Sequence, residues 1–392
     1  MEEFTMTQVF FCPTEITVGP GSLEQLPGLI PDSVEQILLV MDPFFRGKEV
    51  EQRIRGLLPG KMIHPFSQVM PNPRDADIDS GAGLCTEVGG QLILALGGGS
   101  AIDTAKAINV VATNGGRSWD YTRGTGKTPR PVTQPLLPLI AIPTTAGTGT
   151  EATRYSVITN SVTHAKATIK LDVLFPQKAI VDADLMATMP RRTTALTGID
   201  AFAHAFEAYI GSKANDFSEM FSLQAMKLFI RSIRTACEEP ANRQARNDMA
   251  LCSTLGGLAI SHSATTLPHG IGQALSGVTD APHGGSIAVC MPEVIRWTLP
   301  QSMDKFAEVA CLFNPALQNQ SVEAQANALP GILEQLFAQL LGTRLTMADF
   351  GLTEDKAEAV ADMALANYAG DISRHPKVAS REDLLSIIRK CM

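Results

Sequence analysis

The chain has 392 residues, 45% hydrophobic and 18% charged, with a formal net charge of -8. That length predicts two domains rather than one core. The apolar content excludes a disordered chain, and the acidic balance argues against nucleic acid as a general partner. Seven cysteines fall without a CxxC pair, a pattern of reduced thiols in a cytoplasmic protein. The start "MEEFTMTQVFF" carries two early acids and does not read as a signal peptide. Apolar runs such as "PLLPLIAI" are too short and too proline-broken to span a membrane.

Through about residue 190, short apolar runs end in Gly, Pro or Asp and are followed by helical patterns. "QILLVMD" (36–42), "QLILALGGGS" (91–100), "PLIAIPTTAGTGTE" (138–151) and "KAIVDADL" (178–185) predict parallel strands buried on both faces. "AIDTAKAINVVATNGG" predicts the helix of a βαβ unit, stopped by its glycine pair. Asp42, closing the first run, can accept a hydrogen bond from a ribose.

"GGGSAI" (97–102) nearly fits the GxGxxG dinucleotide fingerprint but ends in Ile102. The local physics still suits a phosphate, with glycines between a buried strand and a helix whose first amides are free. Asp103 is expected in that helix's first turn. "GTGKT" (124–128) resembles the end of a P-loop, but Tyr121 replaces the required glycine and prolines follow. "IPTTAGTGTE" offers Thr144, Thr145, Thr148 and Thr150 after another buried strand. Two such turns at strand C-terminal ends predict a ligand site, and a dinucleotide fits it.

From residue 191 onward the chain becomes Ala- and Leu-rich, with helices expected over 198–262, 268–277, 321–342 and 353–369. The domains are thus 1–190, α/β, and 191–392, all-helical. In "TGIDAFAHAFEAYI" (197–210), Asp200 and His204 stand four apart and project from one helix face. Their apolar surroundings make an unpaired carboxylate costly, and a cation removes that cost. Glu207 is a lesser candidate, an acceptor behind the ligands. Pro268-His269-Gly270 and Pro282-His283-Gly284 repeat one tripeptide fourteen positions apart. Proline stiffens each approach, glycine lets the backbone pass close, and a helix break after Gly277 folds the chain back. One carboxylate and three imidazoles suit Fe(II), Zn(II) or Co(II). His262 is expected on a helix surface, and His64, His164 and His375 in exposed or loop settings. Phe202 and Met249 are expected to line a dry pocket.

"GGGSAIDTAK", "IPTTAGTGTE", "TALTGIDAFAHAFEAY" and the two "PHG" segments together resemble the iron-dependent (group III) alcohol dehydrogenase family. The resemblance runs from "GPGSLEQL" to about residue 300 and weakens beyond. It implies a Rossmann-like α/β dinucleotide domain, an all-α C-terminal domain in the dehydroquinate synthase-like architecture, and catalysis in the cleft between them. Asp200, His204, His269 and His283 match the family's metal ligands, with Fe(II) first and Zn(II) as the alternative. Asp42 matches the carboxylate that favours NAD. Asn72, Gly98, Gly99, Ser100, Asp103, Thr144, Thr145 and Thr148 match the cofactor cradle. Lys166 matches a lysine near the nicotinamide ribose, and Leu185 an apolar wall of the adenosine or ribose site. A homodimer or larger homo-oligomer is implied.

One position departs: where the family commonly has a third histidine, this chain has Gln273. An amide donates and accepts hydrogen bonds but takes up no proton at neutral pH. The expected activity is oxidation of a small primary alcohol or diol, of the propanediol, lactaldehyde or ethanol type, and the reverse reduction of the aldehyde. Two alternatives stand beside it. One is a metal- and NAD-dependent lyase or synthase, disfavoured because the ligand segments carry almost no Lys or Arg. The other is a catalytically idle NAD- and metal-binding protein.

Overall fold

A computed structural model describes residues 7–124 and 126–392. The GTGKT segment therefore includes one position, 125, outside the described residues. In chain order the elements are β1 (Glu15–Val18), α1 (Leu26–Leu29), β2 (Gln36–Met41), α2 (Glu49–Leu57), β3 (Met62–Phe66), α3 (Asp75–Glu87), β4 (Leu92–Gly97), α4 (Gly99–Asn114), β5 (Leu139–Pro143), β6 (Tyr155–Thr159), β7 (Lys166–Lys170) and β8 (Lys178–Val181). Ten helices follow: α5 (Arg191–Ile210), α6 (Asp216–Glu238), α7 (Arg243–His262), α8 (Leu267–Thr279), α9 (His283–Thr298), α10 (Met303–Phe313), α11 (Val322–Leu341), α12 (Glu354–Asn367), α13 (Ala369–Arg374) and α14 (Arg381–Lys390).

Six strands form one parallel sheet in the order β1-β8-β5-β4-β2-β3, and β6 pairs antiparallel with β7 as a separate hairpin. The four apolar runs are β2, β4, β5 and β8, and both their faces are covered. Leu38, Val40, Ile93 and Ala95 pack toward α3 and α4, while the alternate residues Ile37, Leu39, Leu94 and Leu96 pack with Leu26 and Ile54 on the other face. This two-sided burial is why the runs are continuously apolar. Successive strands step outward from β2 to β3, then return to β4 on the other side of β2. That reversal opens a crevice at the C-terminal ends of β2 and β4, the switch point where open α/β sheets bind ligands.

In the helical half, α5 is the axis. Every residue from Gly198 to Ile210 is buried, as expected of a helix that is apolar all round and enclosed by others. Phe202 stacks with Phe206 and Phe229 inside this core, and Met249 packs there too. Both are core residues and not pocket walls, because their faces of α5 and α7 point into the bundle. Among the described residues no helix is long and apolar enough to cross a membrane.

Candidate metal and cofactor site

Three ionisable groups interrupt the apolar surface of α5, namely Asp200, His204 and Glu207, all buried and at i, i+4 and i+7 on one face. Helices α8 and α9 bring in the other two rings. Asp200 Oδ1 lies 3.7 Å from His204 Nε2, 3.5 Å from His269 Nε2 and 3.5 Å from His283 Nε2. All four potential ligand atoms fall within 4.8 Å of one another. Bonds of ~2.1 Å in a tetrahedral site place ligand atoms about 3.4 Å apart, so the spacing suits one shared ion. Asp200 Oδ1 and His269 Nε2 are buried with no hydrogen-bond partner, a costly arrangement for a carboxylate unless a cation sits between them. The donor set of three neutral nitrogens and one oxygen suits iron or zinc.

Neighbours orient the rings. Glu207 Oε1 accepts from His269 Nδ1 at 2.5 Å, and its Oε2 accepts from Thr266 N at 2.6 Å. His204 Nδ1 lies 3.3 Å from the Gly147 carbonyl. Each contact favours the tautomer in which the neutral ring turns its Nε2 lone pair toward Asp200. Burial lowers the pKa of His204 and brings His283 down to about 3. For His269, burial is outweighed by Glu207 and Asp200, which push it up to about 10. Burial likewise fails to raise Asp200, which the surrounding imidazoles hold well below the usual carboxylate range. Of the three rings, His269 is therefore the one whose surroundings favour the protonated form while no ion is bound.

The repeated tripeptide does two jobs that its symmetry conceals. Pro268 stands in the first turn of α8, while Pro282 caps α9, whose first residue is His283. At Gly284 an added Cβ would meet the Leu196 carbonyl at 2.1 Å, so this glycine lets α9 press against the α5 backbone. At Gly270 the nearest atoms are ordinary contacts with α13 and Tyr368. The glycines therefore pack protein against protein and do not approach the ion. Helix α8 also runs past Gly277 to Thr279, and it is Asp280, at φ 58, that turns the chain back. At Gly277 an added Cβ would meet Met363 Sδ at 2.7 Å, so within the helix this glycine makes room for that side chain.

The glycine turn lies at the switch point. Gly97 has φ 150, and a Cβ there would meet Ala101 at 2.6 Å and Asp42 at 3.1 Å. Thr145 and Thr148 press on Gly98 and Gly99, where a Cβ would meet them at 3.0 and 2.6 Å. Thr144 N donates to the Gly97 carbonyl at 2.9 Å, so the two turns interlock. Asp42 caps the turn Pro43–Phe45 by accepting from Phe44 N at 2.8 Å. Asn72, at φ 58, accepts from Lys166 Nζ at 2.8 Å, and Lys166 also donates to Ser276 at 2.7 Å. Burial brings Lys166 down to about 8.

Asp103 is not in the first turn of α4. It lies a full turn inside, where its carboxylate accepts from Thr150 Oγ1 at 2.6 Å and Val157 N at 2.9 Å. Its neighbour Lys106, fully buried, donates to the carbonyls of Thr150, Thr153 and Tyr155 at 2.7, 2.9 and 2.8 Å. This polar knot fastens the threonine turn and β6 to α4. The charge of Lys106, deep in an apolar pattern, was its only signal in the sequence.

A cavity of about 440 Å³ joins Asn72, Gly99, Ser100, Asp103, Thr148 and Lys166 to His204, His269, Gln273 and His283. Asp42, Gly98, Thr144, Thr145 and Leu185 lie outside its lining. Leu185 packs in the core beneath the sheet, at the C-terminal side of β8. The cavity also takes in Tyr155, Arg123, Lys170, Asp371 and Arg374, none of which stood out in the sequence. His375 is buried, with Nε2 2.7 Å from Thr298 Oγ1, because α13 ends against α9. His262, partly buried, bonds the Leu258 carbonyl and Phe11 N and stacks on Phe10.

Two family models divide the chain. "Iron-containing alcohol dehydrogenase" matches residues 13–183, and "Fe-containing alcohol dehydrogenase family, C-terminal" matches residues 194–392. The chain is 31% identical to the NAD-dependent methanol dehydrogenase of Bacillus methanolicus, covering 98% of this chain and 99% of that one. It is 32% identical to the 1,3-propanediol dehydrogenase of Klebsiella pneumoniae, covering 97% and 96%. The crystal structure of a 1,3-propanediol oxidoreductase superposes with a TM-score of 0.90 at 30% identity, covering 98% of this chain and 100% of that one. Sequence match and geometry agree that this chain belongs to the iron-containing alcohol dehydrogenase family.

Proposed function

We propose that this chain interconverts a small primary alcohol or diol and its aldehyde, with NAD as the hydride acceptor and Asp200, His204, His269 and His283 holding a ferrous ion. The observation that carries this reading is the buried, unpartnered Asp200 Oδ1 facing three Nε2 atoms. When bound, the ion would supply Lewis acidity toward the alcohol oxygen and NAD would supply the hydride acceptor, with the hydroxyl proton passing to solvent. Gly98, Gly99 and Ser100 present free helix amides to the cofactor phosphates, and Thr144, Thr145 and Thr148 brace that turn. Asp103 braces the threonine turn from behind. Asp42 meets the adenosine ribose, Leu185 backs the same region, and Lys166 with Asn72 meets the nicotinamide ribose. Gln273 orients the alcohol through its amide without accepting its proton. Val157, Ala167, Ile260 and Ala264 give the cavity apolar walls, which keep water from the reacting carbon.

The same reading divides the chain at residue 190, just before α5 begins. It makes the enzyme a cytoplasmic homodimer or larger homo-oligomer, and seven free cysteines suit a reducing compartment. The test is anaerobic loading with Fe(II) followed by NADH absorbance with a panel of short alcohols and diols. Turnover that disappears in Asp200→Asn supports the reading. Binding of metal and NAD without turnover of any alcohol or aldehyde overturns it in favour of the idle protein.

A further inference from the structure

The cavity has a wall that neither the metal cluster nor the glycine turn uses. Arg123 joins it because its backbone N donates to the Thr168 carbonyl at 2.9 Å, laying the 122–124 loop along β7. The loop then reaches α12, where Gly124 approaches the Asn367 carbonyl. Lys170 ends β7, with its ammonium 5.3 Å from the Tyr155 ring centroid. Arg374 comes from α13 and bonds Asp371 Oδ1 at 3.2 Å. Among the described residues, neither Arg123 nor Lys170 forms an ion pair, and Asp371 is the one carboxylate lining this side of the cavity. Arg154, nearby, is already spent on Asp172. Burial, then Arg374, Arg154 and Arg123, hold Lys170 below its ordinary pKa. Three cations against one carboxylate, in a partly enclosed space, favour an incoming anion.

On the cofactor placement proposed above, position separates this wall from the nicotinamide ribose. Lys170 stands four residues along β7 from Lys166, about 13 Å at 3.3 Å per residue. On the metal side, Asp371 packs directly against Gly270, the neighbour of His269. Arg374 follows one helical turn on, about 5 Å along the axis. The metal cluster and this wall line the same cavity, so one bound molecule can place a hydroxyl at the first and an anion at the second.

We propose that the alcohol this enzyme takes carries an anionic group at its far end, a carboxylate or a sulfonate, held by Lys170, Arg123 and Arg374. The inference rests on the dehydrogenase reading above and narrows its substrate to short ω-hydroxy acids and the corresponding aldehyde acids. It also explains a wall of basic residues that a plain alkanol or diol would leave unused and costly to desolvate. Arginine suits planar carboxylates and sulfonates through paired N–H donors, and lysine adds a point charge.

The experiment compares kcat/KM of the iron-loaded enzyme for 3-hydroxypropionate, 4-hydroxybutyrate and 2-hydroxyethanesulfonate with that for 1-propanol, 1,3-propanediol and 1,4-butanediol. The expected result is a preference for at least one anion over the neutral alcohol of matching length. That ratio should fall about ten- to a hundredfold in Lys170→Met and in the exposed-site variant Arg123→Met, as for loss of one hydrogen bond to a charged group. Isothermal titration of the preferred anion into the NADH-bound protein should weaken by a similar factor in both variants. Which anion wins separates carboxylate from sulfonate. Equal or better turnover of neutral alcohols, with no change of ratio in either variant, overturns the inference and leaves the dehydrogenase standing. Variants that raise the KM for NAD while leaving the ratio intact assign the wall to the cofactor phosphates and also overturn it. No turnover of either class overturns both readings.

Discussion

Glu207 and His204 sit on the same face of α5, yet Glu207 turns its carboxylate away from its helix neighbour and accepts from His269 Nδ1 at 2.5 Å. Because it also accepts from Thr266 N, one side chain fixes both the ring and the helix start that carries it. Glu207→Gln should therefore weaken iron binding about ten- to a hundredfold while the protein stays folded, the usual effect of losing a ligand's hydrogen-bonded partner. Competition with a chromogenic chelator reads the affinity, and circular dichroism the fold. Unchanged affinity would remove Glu207 from the site.

Loading the ion should release a proton. His269 is pushed up to about 10 in the metal-free cluster, and coordination needs its neutral Nε2. Its raised pKa stabilises the metal-free fold fully below its ordinary value of 6.5, and that stabilisation fades as pH rises toward about 10. Metal affinity runs the opposite way, falling about tenfold per pH unit as pH drops across the neutral range. Calorimetric titration at pH 7.5 in two buffers of different ionisation enthalpy should give about one proton per ion. Zero protons released would contradict this protonation state.

Asp42 follows β2 and lies beside Gly97, at the edge of the crevice where we propose that the cofactor ribose binds. Asp42→Gly should relax the preference for NAD over NADP by ~10-fold or more, through loss of a ribose acceptor and of repulsion toward a 2′-phosphate. The ratio of kcat/KM for the two cofactors measures it, and a constant ratio counts against the contact.

Gln273 lines the cavity one turn after His269. Gln273→His should add an ionisation between about pH 6 and 8 to the pH profile of kcat. A profile superposable on the parent's would mean that this position handles no proton.

Lys106 offers a test of the scaffold. Burial brings its pKa down to about 8 against the pull of Asp103 and Glu151. Lys106→Met leaves three carbonyls without their donor, removes the charge that faces the buried Asp103 and Glu151, and should cost about 3–5 kcal/mol, read by urea unfolding. A loss within ~0.5 kcal/mol would show that the knot does not hold the threonine turn.

The strands and the Asp–His cluster were legible because their signals are local. Buried parallel strands must be continuously apolar, and Asp200 with His204 shows its shared face by spacing alone. Pairing His269 with His283 needed only the repeated tripeptide. By contrast, β6 and β7 are short, half-polar hairpin strands with no continuous run. Arg123, Lys170 and Arg374 come from three distant segments, and only the fold converges them, so their shared charge left no pattern. Lack of basic residues in the ligand segments was a true reading of those segments and a misleading one for the cavity. Phe202 and Met249 failed for a related reason: in a helix buried on every side, neighbouring a ligand in sequence does not mean facing its pocket. His64 failed because it lies inside the edge strand β3, with Nε2 2.7 Å from Gln36 Oε1, whereas His375 is a loop residue as expected and is buried only because α13 ends against α9.

Helix α5 has no face turned to water between Gly198 and Ile210, and it carries both Asp200 and His204. The ion's seat is consequently anchored in the bundle's interior instead of on a surface loop that can open by itself. Loosening the aromatic stack around Phe202 would splay the ligands apart, so retention of iron and integrity of the bundle are one property and not two.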